Sequence, residues 1–252
     1  MSYSPFSTLP QELICRVFES VDDFSVVAAL AQTARIFYHT WREYRVSISR
    51  VVAPRVILNL DDAERLLDMQ EAAEAVNQSE DVREDASAIR VKRLIFNSRC
   101  ASAAINDWVK ICRIHCYHMY RRGGDPHMRP SEIARFERSF YRVWTIGVMG
   151  SASHLQHKAS AFLDKCSPQE LCRLYELSEW ARCYNNHDFG PPGFDLRDKV
   201  WRTGYELVKQ RWYAYQDGKL GVPSKIRGPP NDEGPFDFFA FFDHTQHYVE
   251  LH

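Results

Sequence analysis

The stretch that most constrains this chain is its beginning, residues 5–44: PFSTLPQELICRVFESVDDFSVVAALAQTARIFYHTWREY. Its pattern predicts three short helices in series. Thr8 and Gln11 have the spacing of an N-terminal capping box, and Pro10 suits a first helical turn, where its missing N–H costs nothing. Leu9, Leu13, Ile14, Val17, Phe18 and Val21 then form a helical stripe. Asp22 and Asp23 are placed to cap a second helix carrying Phe24, Val26, Val27, Ala28 and Leu30, and Thr33 offers a third start before Ile36, Phe37, Tyr38 and Trp41. Such a module is too small to bury all of this apolar surface alone. Each large apolar side chain left in water forgoes roughly 1.5–3 kcal/mol. Two readings stay open: everything packs internally, or one face meets the chain and another meets a partner.

The order Leu9-Pro10-x-Glu12-Leu13-Ile14, then Val17-Phe18, Asp22-Asp23-Phe24, Leu30, and Arg35 with Trp41 resembles an F-box over residues 5–50. The second helix departs from the family in carrying Val-Val-Ala-Ala where many members have leucines and charges. The resemblance implies a three-helix unit that docks on a Skp-type adaptor and, through it, a cullin, in a ubiquitin ligase. It also implies Leu9, Pro10, Leu13, Ile14, Val17, Phe18, Phe24 and Leu30 as adaptor-binding residues. Later segments, Phe140-Tyr141-Arg142-Val143-Trp144 and Phe241-Phe242-Asp243-x-x-Gln246-x-Tyr248, are similar to the C-terminal part of filamentous-fungal F-box proteins. On that basis residues 51–252 form a larger helical domain that binds an unknown protein substrate.

Composition narrows the function classes. A net charge of −1 argues against a dominant nucleic-acid or membrane-surface role, since such binders carry a basic excess. No apolar run reaches membrane-spanning length. The N-terminus lacks the basic flank and apolar core of a signal peptide, so the expected location is cytoplasm or nucleus, with the seven cysteines reduced.

Down the chain the periodicity stays helical, with no alternating run long enough for a strand. The expected class is all-α. Residues 42–60 continue helically and are expected to break at Pro54, with Arg42, Arg45 and Arg50 as a basic face. Asp61 and Glu64 have capping spacing for a helix reaching about Val76. Residues 77–89 read as an exposed loop. A helical pattern runs from Arg90 to Arg122, with a possible interruption at Asn97-Ser98, and Gly123-Gly124-Asp125-Pro126 reads as a turn. Pro130-Ser131 starts a helix whose Gly147 and Gly150 signal close backbone packing. A short helix follows over 153–165. Ser167-Pro168-Gln169-Glu170 is the clearest helix start in the chain. Residues 189–193 break that helix, and Asp195 with Asp198 opens another. Residues 217–235 are rich in Gly and Pro and read as a long loop, and 236–242 (FDFFAFF) as an aromatic clasp.

Candidate chemistry is sparse. Cys112, His115 and Cys116 share a helical face, but a closed zinc site takes four ligands. The pairs His154–His157 and His244–His247 have no carboxylate in a known metal spacing. Gly147-Val-Met-Gly150-Ser151 is not the nucleophile-elbow order. Arg121-Arg122 and Lys225/Arg227 read as solubilising pairs. No catalytic residue, metal or cofactor is assigned. The expected function is a substrate-receptor subunit of a Skp/cullin/F-box ligase that directs ubiquitin-dependent degradation and is not itself an enzyme. The alternatives are a helical scaffold protein outside any ligase, and an enzyme whose pocket would gather His115, His118 or His154 with a carboxylate.

Overall fold

The computed structural model describes residues 9–75, 86–115, 129–183, 191–196, 198–218 and 241. The chain is all-α, and no strand occurs among the described residues. The helices are α1 (Gln11–Glu19), α2 (Phe24–Thr33), α3 (Arg35–Val56), α4 (Leu60–Glu74), α5 (Ala86–His115), α6 (Pro130–Ser151), α7 (Gln156–Asp164), α8 (Pro168–Cys183) and α9 (Lys199–Gln216), with a 3-10 turn at Ser153–Leu155. They divide into two compact units, Met1–Ala63 with Ser79–Ser98, and Glu64–Gln78 with Arg99–His252. The first unit thus extends past the residue-50 limit drawn from sequence. No helix among the described residues is long and apolar enough to cross a membrane.

In the first unit α1 and α2 both pack on α3. Phe18 is fully buried, edge-on to Phe37 at 5.9 Å and beside Trp41 at 6.1 Å. Asp23 caps α2 by accepting from the Ser25 N–H at 2.7 Å, as its sequence position suggested. Three other boundaries differ from expectation. Pro10 is the N-cap of α1 and among the described residues no side chain caps that end, Thr8 lying outside them. Thr33 ends α2 instead of starting α3: its hydroxyl donates back to the Leu30 carbonyl at 2.7 Å, and the break comes at extended Ala34. Pro54 does not break α3, which runs on to Val56. Pro54 lies in the last turn, so the bond it removes and its ring disturb little helix beyond.

α4 starts at Leu60, one residue before Asp61, because the Asn59 carbonyl accepts the first turn's N–H groups of Asp62 and Ala63. α5 runs unbroken through Asn97-Ser98, with Asn97 fully buried. The loop expected over 77–89 is helical from Ala86; residues 76–85 lie outside the described residues, as do the expected turn at 123–126, residues 219–235 of the loop expected over 217–235, and most of the aromatic segment.

In the second unit α6 is the central helix, packed against α7, α8 and α9. Its buried Phe136, Phe140 and Trp144 meet rings from elsewhere in the unit: Phe136 lies 4.6 Å from Trp108 and 5.6 Å from Trp180, and Phe140 lies 4.9 Å from Trp201. Phe241, fully buried, adds a ring 5.4 Å from Trp108, and its carbonyl accepts from the Arg135 guanidinium at 2.8 and 3.0 Å. This one residue of the aromatic segment is docked as a clasp would be. α6 and α9 approach through glycines. A Cβ on Gly147 would collide with the Val200 carbonyl oxygen, and one on Gly204 would sit 2.8 Å from that of Val143.

α8 starts as its sequence dictates. The Ser167 N–H and hydroxyl donate to Glu170 at 2.9 and 3.0 Å, and the Glu170 N–H donates back to the Ser167 hydroxyl at 3.3 Å. Asp198 caps α9 by accepting from the Trp201 N–H at 2.8 Å. Arg142 on α6 then pairs with Glu170 at 2.7 Å. Burial pushes the Glu170 carboxyl up, but the Ser167 and Arg142 donors outweigh it and hold the carboxyl below its ordinary value.

Two outcomes are expected. Gly147→Ala gains helix propensity of roughly 1 kcal/mol but overpacks the α6–α9 crossing, at a cost of about 1–3 kcal/mol. Thermal melting should therefore show a lower Tm, and a raised Tm would rule out the close approach. The depressed Glu170 carboxyl contributes stability fully present above the ordinary glutamate range, near about 4.3. That contribution is lost as pH falls through the lower folded value. Glu170→Gln should remove this part of the acid-side loss in a pH series of melts.

Candidate protein-docking surface

α1 carries two apolar stripes and buries one of them. On α1, Ile14 and Phe18 are one turn apart and fully buried, while Leu13 and Val17, also one turn apart, are 51% and 41% exposed. The buried stripe points at α3; the exposed one leaves apolar carbon in water. On α2 the same split recurs: Phe24, Val27 and Ala31 are buried and Val26 is 49% exposed. Among the described residues the other large exposed apolar side chains include Tyr38, Tyr44, Val51, Leu58 and Ile89, all in the first unit, against Tyr213 in the second.

The eight residues named from sequence therefore separate into groups. Leu13, Val17 and Pro10 are exposed, and Leu9 and Leu30 are half-buried. Ile14, Phe18 and Phe24 are buried within the unit, where they hold the helices in place. Their contribution to any contact is to fix its shape.

Polar groups frame the exposed stripe. Arg16 pairs with Glu19 at 3.0 Å, and Gln11 donates to Glu43 on α3 at 2.9 Å. Arg55 closes the corner between α1 and α2: its guanidinium donates to the carbonyls of Glu19 and Val21, and pairs with Asp22 at 3.2 Å. Cys15, half-buried on α1, has its thiol pushed up by burial and then by Glu19, Glu12 and Glu43.

The other candidates take ordinary places. His154 bonds to the Ala72 carbonyl at 3.0 Å. Gly147 and Gly150 lie inside α6, so Ser151 is not on a nucleophile turn. Burial raises the Cys100 thiol to about 12 and the Cys166 thiol to about 11. Among the described residues no group of His, Cys, Asp and Glu is arranged to hold a metal ion. The side chains of Cys112 and His115, and residues Cys116, His118, Arg121, Arg122, Lys225, Arg227, His244 and His247, lie outside the described part. One feature gave no signal in the sequence: a cavity of about 310 Å³ in the second unit, between α8 and α9.

The chain matches no protein-family model, no curated protein and no solved structure.

The two stripes of α1 should respond oppositely to truncation. Phe18→Ala removes a fully buried ring and should cost about 3–5 kcal/mol. Leu13→Ala with Val17→Ala should cost well under that, since exposed substitutions change stability by roughly 0.5 kcal/mol or less each. Denaturant melts of the two variants check the difference. Equal losses would mean that Leu13 and Val17 are covered after all.

Proposed function

We propose that this chain is a substrate-receptor subunit of a Skp/cullin/F-box ubiquitin ligase. The observation that carries the reading is the exposed Leu13–Val17 stripe on α1, beside exposed Pro10, in a unit where α1 and α2 pack on α3. An apolar stripe fixed on a rigid helix and framed by polar groups suits a protein partner. The F-box-like order of Leu9, Pro10, Leu13, Ile14, Val17 and Phe18 names the partner class, a Skp-type adaptor. The first unit would bind the adaptor and the second would present a surface to the substrate. The chain would supply proximity while the ligase machinery transfers ubiquitin, an effective-concentration effect. The support lies in residue order and surface geometry, not in any matched relative.

The test is adaptor pull-down with the doubly substituted Leu13→Ala/Val17→Ala chain. Capture by a Skp-type adaptor should fall by at least about tenfold, as expected for losing some 1.4 kcal/mol or more of contact. Far-ultraviolet circular dichroism should stay unchanged. Undiminished capture, or no capture by the unsubstituted chain, would overturn the reading.

A further inference from the structure

The cavity between α8 and α9 lies wholly in the second unit, so what it binds does not depend on adaptor docking. Its volume of about 310 Å³ is at the small end of ligand pockets, which run from roughly 300 to 1,000 Å³. Ala181, Leu196 and Trp201 give it an apolar lining, and all three are buried. The Trp201 indole N–H has no hydrogen-bond partner among the described residues. Ring-sized apolar matter is what such a lining accepts.

The polar groups around it are not equivalent. Glu179 behind the lining is already engaged: Tyr205 donates to it at 2.6 Å and Arg182 at 3.0 and 3.2 Å. The Arg182 guanidinium also lies over the Tyr205 ring at 5.5 Å. Ser178 donates to the Tyr175 carbonyl at 2.9 Å. Arg202 is different. It is exposed at the cavity and makes no ion pair among the described residues. Glu206, one turn further along α9, also lines the cavity, yet it forms no ion pair with Arg202. A permanently charged fork beside an apolar pocket matches a carboxylate carried on an apolar body.

We propose that this cavity binds an apolar carboxylate, its ring or aliphatic body against Ala181, Leu196 and Trp201 and its carboxylate on Arg202. Two sources offer that chemistry: a small aryl or alkyl carboxylic acid, and the C-terminal residue of a polypeptide that ends in a large apolar side chain. In both, Glu206 disfavours a second negative charge, so monocarboxylates are preferred over diacids.

Ligand-observed NMR titration of the full-length chain tests this with 3-phenylpropionate, its neutral amide, the tripeptide Gly-Gly-Phe and its C-terminal amide. The acid should bind and its amide should bind at least about tenfold more weakly, the difference a charge-assisted hydrogen bond supplies. Arg202→Gln should bring the acid down to the amide's level, and Arg202→Lys should fall between. Arg202 has no ion pair to lose among the described residues, so neither variant should shift the Tm. If Gly-Gly-Phe shows the same dependence on its carboxylate and on Arg202, the source is a polypeptide C-terminus. If only the small acid does, it is a small molecule. Equal binding of acid and amide by the unsubstituted chain, indifference to Arg202→Gln, or no binding of either acid overturns the proposal. The comparison of acid with amide needs no variant and so does not depend on one folding.

Discussion

The burial of Phe18 against Phe37 and Trp41 decides which side of α1 faces water. Once that ring is anchored, Ile14 goes in with it, because the two are one turn apart. Helix geometry then forces Leu13 and Val17 outward. Their exposure is thus not a separate accident of packing. It follows from putting apolar residues on adjacent stripes of a nine-residue helix whose main packing partner among the described residues is α3. The Arg55 clamp on the α1–α2 corner fixes the direction in which the exposed stripe points.

The second unit is held by a different device. Here glycines and rings divide the labour. Gly147 and Gly204 let α6 and α9 come closer than side chains allow, and Phe136, Phe140, Trp144 and Trp201 fill the space on either side of that line. The same α9 carries Arg202 on its outer face. A helix pinned by glycine contacts on one side therefore presents a cation at a defined place on the other, beside the cavity it shares with α8.

Much of this was legible from residue order, where the controlling interaction is local. Ser167 and Glu170 close their box within four residues, and Asp23 and Asp198 each cap across two or three. The all-helical class follows from the same short-range periodicity. Legibility failed where one residue type serves two ends. Thr33 reads as a helix start by its position, but a threonine hydroxyl also bonds back to a carbonyl of the preceding turn, and Leu30 is within reach. Pro54 reads as a helix breaker, yet its last-turn position blunts that effect. The eight residues named from the F-box-like order separate by side only in the fold: nothing in the order Leu13-Ile14 says which of the two is covered, because the packing on α3 decides. The cavity was invisible for a stronger reason. Its lining is gathered from positions 178 to 206 by the packing of α8 against α9, and no spacing rule spans that distance.

The central claim is that the outward stripe of α1 meets a Skp-type adaptor. Its most direct test places a photo-crosslinking amino acid at Val17 in one sample and at Tyr213, an exposed ring of the second unit, in another. Each is irradiated with purified adaptor. The account requires a covalent adduct from position 17 and none from position 213. No adduct from position 17, or equal yields from both, would contradict it.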